Sequence, residues 1–195
     1  MTSTHLTERS KRSTRTDGIA RAARRWPAVA GAGLAVATGI GLVAAGEVAP
    51  VVTASGFVYL GAAALGRGWA AWPAFGASFV LIGLGRALPG FGPTWVMLGV
   101  AVALTAYGLL RGRAQPWWGL PLQAGALAVL AAVALVAAQA SDPGAGLLVA
   151  GGLLAHAAWD VNHHRTRRVV ARSMAEFCAV LDTVLAVLVL VATLA

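Results

Sequence analysis

Of 195 residues, 58% are hydrophobic and only 11% charged, far from the balance of an ordinary soluble domain, about 45–50% and about 25%. The net charge of +8 and a sequence pI near 11.5 do not make a nucleic-acid binder, because the basic residues sit beside apolar runs and not along one folded face. The single cysteine, Cys178, excludes an intramolecular disulfide and any C-x-x-C metal or haem-attachment motif.

Met1 to Arg25 is rich in Ser, Thr and Arg and is predicted to be a disordered basic tail (residues 1–25). Beside a bilayer it is attracted to anionic lipid headgroups, by about 1 kcal/mol per basic residue near the surface. It holds the only lysine, Lys11, so the membrane interior has no Schiff-base chemistry and the protein is not a retinal binder. Residues 26–195 carry seven apolar stretches, each near the roughly 20 residues that cross a hydrocarbon core of about 30 Å. The spans are predicted at about Trp26 to Ala45, Val51 to Leu65, Trp69 to Leu88, Thr94 to Leu110, Trp117 to Gln139, Ala145 to Val161 and Ala175 to Ala195. Gly46 and Pro50, Gly66-Arg67-Gly68, Pro89 to Pro93, Arg111 to Pro116 and Ser141 to Gly144 separate them. The first stretch also fits a signal peptide, with its basic flank and Ala44-Ala45-Gly46. It is longer than the usual apolar run of about 7–15 residues, so it is read as a retained span. The fold class is an all-α integral membrane protein, a seven-transmembrane-helix bundle with a disordered basic tail.

The placement of arginine gives direction to these spans. Seven basic residues lie in the tail, Arg67 after span two, Arg111 and Arg113 after span four, and Arg165, Arg167, Arg168 and Arg172 after span six. Arg86 is the one exception to this alternation. Basic residues beside spans stay in the cytoplasm, which predicts a cytoplasmic-membrane protein with its N-terminus inside and its C-terminus outside. Trp26, Trp69, Trp72, Trp117, Trp118 and Trp159 fall at predicted inner ends and Trp95 at an outer one, as expected of indole rings at the headgroup level. In span one, Gly31, Ala35 and Gly39 recur at every fourth position. That spacing permits close helix approach, though it also follows from an Ala- and Gly-rich composition.

Polar residues converge at the last inner loop. Three of the seven acidic residues, Asp160, Glu176 and Asp182, flank it, and so do His156, His163 and His164. On a helix, His156, Asp160, His163 and His164 fall within one arc about 100° wide. His156 stands roughly 10 Å above His163, and Asp182 roughly 9 Å beyond Glu176; in an antiparallel hairpin they reach the same depth. Cys178 and Asp182 share one face of span seven. Ionisable groups inside a span pair with one another or face a cavity.

Three readings stay open. One is a structural clasp of His156, Asp160, Cys178 and Asp182, with Asp160 tied to an inner-loop arginine. Another is a metal site of His156, Asp160, His164 and Asp182, whose imidazole and carboxylate donors suit zinc or iron. The third is a proton or ion relay. The corresponding functions are a structural or accessory membrane component, a metal-dependent membrane enzyme acting on a lipid, and a small transporter or proton-coupled channel.

The run from Leu153 to Leu190, with His156-Ala-Ala-Trp159-Asp160, His163-His164-Arg165, Val169-Val170 and Glu176-Phe177-Cys178 to Asp182, resembles an uncharacterised family of bacterial multi-pass membrane proteins. Tyr59 to Gly66 and Leu120-Pro-Leu-Gln123 are similar to it as well. The resemblance covers most of the membrane region, implies a small integral membrane protein, and carries no known activity. The seven-span alkaline-hydrolase family also clusters His and Asp at a membrane face. Its last span holds an H-x-x-x-H pair, and span seven here has no histidine.

Overall fold

The computed structural model describes residues 25–40 and 45–195, which form helices and no strands. The helices are α1 (Trp26–Gly39), α2 (Ala49–Leu65), α3 (Ala71–Ala87), α4 (Pro93–Leu110), α5 (Leu120–Ala137), α6 (Asp142–Thr166) and α7 (Arg172–Leu194). Short 3₁₀ turns, Ala45–Val48 and Gly68–Ala70, lead into α2 and α3. Six of these segments are long and apolar enough to cross a membrane; α1, with 14 residues, is shorter. At 1.5 Å per residue it measures about 21 Å, short of a hydrocarbon core of about 30 Å. Span one was expected to continue to Ala45, but the helix ends at Gly39, where Ile40 turns to an extended conformation. Most of the tail, residues 1–24, lies outside the described residues.

Proline opens α1, α2, α4, α5 and α6 within their first two positions, where its missing N–H leaves no bond unmade. Left-handed caps close two helices, Gly66 on α2 and Arg167 on α6. The latter corrects the expected end of span six. Hydropathy falls after Val161, but the backbone stays helical to Thr166, and the Arg167 N–H bonds the His163 carbonyl at 2.8 Å. Asn162, His163, His164 and Arg165 are therefore helical residues.

Helix α2 is the axis of the bundle, packed against α3, α4, α5 and α6; α6 pairs with α7, and α1 lies along α7. Of the α2 span 78% is buried, against 17% for α3. Around the outside, Phe79, Val80, Val102, Val129, Val187 and Val191 are all more than half exposed. So large an apolar surface needs covering.

The small-residue stripe of α1 is an interface. A Cβ on Gly31 would lie 2.4 Å from the Phe177 carbonyl oxygen, and one on Gly39 would lie 2.7 Å from Leu188 Cδ1; Ala35 is fully buried. Packing, not composition, explains that spacing. The neighbours of its two ends show that α1 points from one end of the bundle toward the other. Arg25 reaches Glu176 at 3.6 Å and Trp26 stacks on Trp72 at 5.3 Å at one end. At the other, Thr38 and Ile40 share a cavity with Glu47 and Arg86. The first end also gathers the Gly66–Gly68 turn, the loop before α5 and the loop after α6, all predicted to be inner.

Candidate functional site

Three helices meet around the middle of α6. From α6 come His156 and Asp160, one turn apart; α7 supplies Asp182, and α2 supplies Ser55 and Tyr59, again one turn apart. The depth match between His156 and Asp182 sets the central contact, with His156 Nδ1 2.8 Å from Asp182 Oδ2. Asp160 Oδ2 lies 3.3 Å from the same nitrogen. Both neighbours of Nδ1 are carboxylate oxygens, so Nδ1 carries the proton and donates it to Asp182. Tyr59 Oη donates to Asp160 Oδ1 at 2.5 Å, and Ser55 Oγ lies 3.3 Å from Asp182 Oδ2. Exposure of His156, Asp160 and Asp182 is 3%, 0% and 1%. Two buried atoms, His156 Nε2 and Asp160 Oδ2, have no hydrogen-bond partner among the described residues.

Of the four residues expected to converge on a metal, the structure unites three. One ligand atom from each of His156, Asp160 and Asp182 lies within 4.8 Å of the others, and the group can hold a metal ion. His164 does not join them. It points to the bundle's end, where its Nε2 accepts a hydrogen bond from Arg172 Nε at 3.0 Å. A step of eight residues from His156 turns the helix about 80°, enough to move His164 off the buried edge. His163, about 20° to the other side, is the buried one.

Two further expectations are corrected. Cys178 is buried one turn from Asp182, but its thiol is directed to Met174 Sδ at 3.4 Å and not into the clasp. Asp160 is tied to Tyr59, not to an inner-loop arginine: Asp160 faces the core, while Arg165, Arg167 and Arg168 are exposed. Ser55 and Tyr59 were not assigned to the site from sequence. Their i, i+4 spacing on an apolar span was the available signal, but nothing local says which helix α2 faces.

A second buried network lies toward the Arg-rich end. His163 Nδ1 is 3.0 Å from the Trp159 carbonyl, which places the proton on Nδ1 and leaves Nε2 to accept from Gln123 Nε2 at 3.5 Å. Gln123 also donates to the Trp118 carbonyl at 3.2 Å and accepts from Trp159 Nε1 at 3.3 Å. The Tyr59 ring packs edge-on against both His156 and His163, with centroids 5.1 and 4.9 Å away. The two networks thus share Tyr59.

No known protein family, curated protein or solved structure matches this chain.

Proposed function

We propose that this chain is a structural or accessory multi-pass component of the cytoplasmic membrane, in which His156, Asp160 and Asp182 clasp α2, α6 and α7 together. The observation that carries this reading is the enclosure of the group. It links three helices while almost no part of it is exposed, so no substrate reaches it unless the helices separate. Within lipid the apolar surfaces of helices gain little by leaving the solvent, and interhelix hydrogen bonds contribute to association. The belt of exposed apolar side chains supports a bilayer as the covering partner. The alternation of basic gaps supports a cytoplasmic N-terminus and an outer C-terminus, with α1 as the seventh crossing.

A cytoplasm-dependent reporter tests the orientation. Fused after Arg113 or Arg168 it is expected to be active, and after Ala195 inactive. Activity after Ala195 overturns the seven-crossing arrangement.

A divalent metal is a second reading, favoured by the donor set. Two carboxylates and one imidazole offer atoms within 4.8 Å of one another, and Asp160 Oδ2 has no hydrogen-bond partner among the described residues. Nitrogen and oxygen donors of this kind suit zinc or iron. Against it, Nδ1 is the nitrogen that faces both carboxylates, and a metal bound there would displace its bond to Asp182 and leave the Nε2 N–H with no acceptor among the described residues. With Nδ1 committed to Asp182, the clasp accounts for more of the geometry. Metal analysis of the purified protein separates the two: the clasp predicts no stoichiometric zinc or iron, and one ion per chain, lost in Asp160→Ala, overturns it.

A further inference from the structure

At the arginine-rich end a cleft of about 350 Å³ opens between the Gly66–Gly68 turn, the loop before α5 and the loop after α6. Its volume lies within the range of ligand pockets, about 300–1,000 Å³. We propose that this cleft binds a phosphate-bearing anion, held by Arg113 and Arg167.

Arg113 and Arg167 both line it, and among the described residues no carboxylate does. Arg168 does not line the cleft; it lies over the ring of the lining Trp118, 4.9 Å from its centroid. Arg113 Nε is buried without a hydrogen-bond partner among the described residues. The nearby acid, Glu176, faces Arg25 at 3.6 Å. A guanidinium keeps its charge at any physiological pH and presents a planar fork suited to phosphate oxygens. Two of them facing one space repel each other until an anion enters.

Helix ends offer a simpler partner, since α2 and α6 finish here. Each C-terminus carries roughly half a negative charge, less than the full charge of each arginine. The Ala62 and Ala63 carbonyls at the end of α2 already accept from Arg67 and Gly66 N–H at 3.1 Å each. The start of α5 opens onto the same space, but the Gly119 and Leu122 N–H groups are bonded to the Pro116 and Trp117 carbonyls at 2.8 and 3.1 Å and Pro121 has none, so the donors for an anion are the two guanidinium groups.

The walls are built to stay in place. Gly66 leaves room for the Arg113 guanidinium, which would collide with any Cβ there. The Ala171 N–H bonds the Gly68 carbonyl at 3.1 Å and ties two of the loops together. Between them Val169 is held at φ 65°, a left-handed conformation that is a genuine outlier for a β-branched residue.

Either a lipid headgroup or a free phosphate has the required chemistry, and the headgroup assignment rests on the membrane reading above. The exposed rings of Trp69 and Trp117 at this end fit the headgroup level. The test measures binding of phosphatidylglycerol, and separately of inorganic phosphate, to the full chain in neutral detergent. The comparison is among the parent protein, Arg113→Gln, Arg167→Gln and the control Arg111→Gln, whose side chain lies outside the cleft. Each cleft substitution is expected to weaken binding by about tenfold, with Arg111→Gln unchanged and all variants eluting as the parent does. Phosphatidylglycerol bound in preference to phosphate assigns a headgroup; equal competition by phosphate assigns a free anion. Loss of binding common to all three variants, or no binding of either probe, overturns the proposal. The reporter fusions decide the orientation independently, so failure of that reading is distinguishable from failure of the cleft.

Discussion

Two polar regions share helices α6 and α7 but differ in how their charges are met. Around His156 the two acids lie 2.8 and 3.3 Å from one imidazole nitrogen; from a third helix Tyr59 donates to Asp160, and the Ser55 hydroxyl lies 3.3 Å from Asp182 and 3.1 Å from the Val51 carbonyl. About two turns further along α6, the half-buried Arg113 and the exposed Arg167 line an open cleft, and His164 contributes only a hydrogen bond to Arg172 at the bundle's end. A buried ion or hydrogen-bonding group left without its partner costs several kcal/mol, while an exposed one is re-solvated. The difference teaches that side chains of identical type on one helix differ in consequence according to what replaces water around them.

The strongest way to break this contrast is Asp182→Ala. It removes the acceptor of His156 and a contact of Ser55, and is expected to destabilise the bundle by about 3–5 kcal/mol, measured by unfolding in detergent. The pairwise share is smaller. In a double-mutant cycle with His156→Ala the coupling is expected near 0.6 kcal/mol and no more than about 1.7. Strictly additive losses would mean that the two residues do not act as a pair.

Tyr59→Phe sharpens the role of α2. The change keeps the ring that packs on His156 and His163 but withdraws the donor from Asp160, at an expected cost of about 1–3 kcal/mol. A loss no larger than that of an exposed substitution would remove α2 from the clasp.

At the other extreme, His164→Ala is expected to change stability by no more than about 0.5 kcal/mol. A loss matching that of His156→Ala would show that His164 belongs with the buried group after all, and would bring back the four-ligand arrangement.

Segment positions and the meeting of His156 with Asp182 were legible in the linear chain. Each depends on a local quantity: hydropathy over about 20 residues, or rise per residue along a helix. The end of α6 was misjudged because hydropathy marks where a helix leaves an apolar layer, and the backbone continues until Arg167 adopts a left-handed conformation.

Which helices are neighbours was decided only in three dimensions. Helices α2 and α3 have mean hydropathies of 1.7 and 1.3, yet the first is the core and the second faces outward. In a bilayer an apolar side chain would be satisfied equally by lipid or by another helix, so there the apolar pattern does not point inward as it does in water. Selection fell to contacts that no single segment contains: Gly31 against the backbone of Phe177, Tyr59 on Asp160 across 101 positions, and Ser55 on Asp182 across 127. Whether His163 or His164 turned inward was settled by the same packing, through the partners that Gln123 and Arg172 offer them.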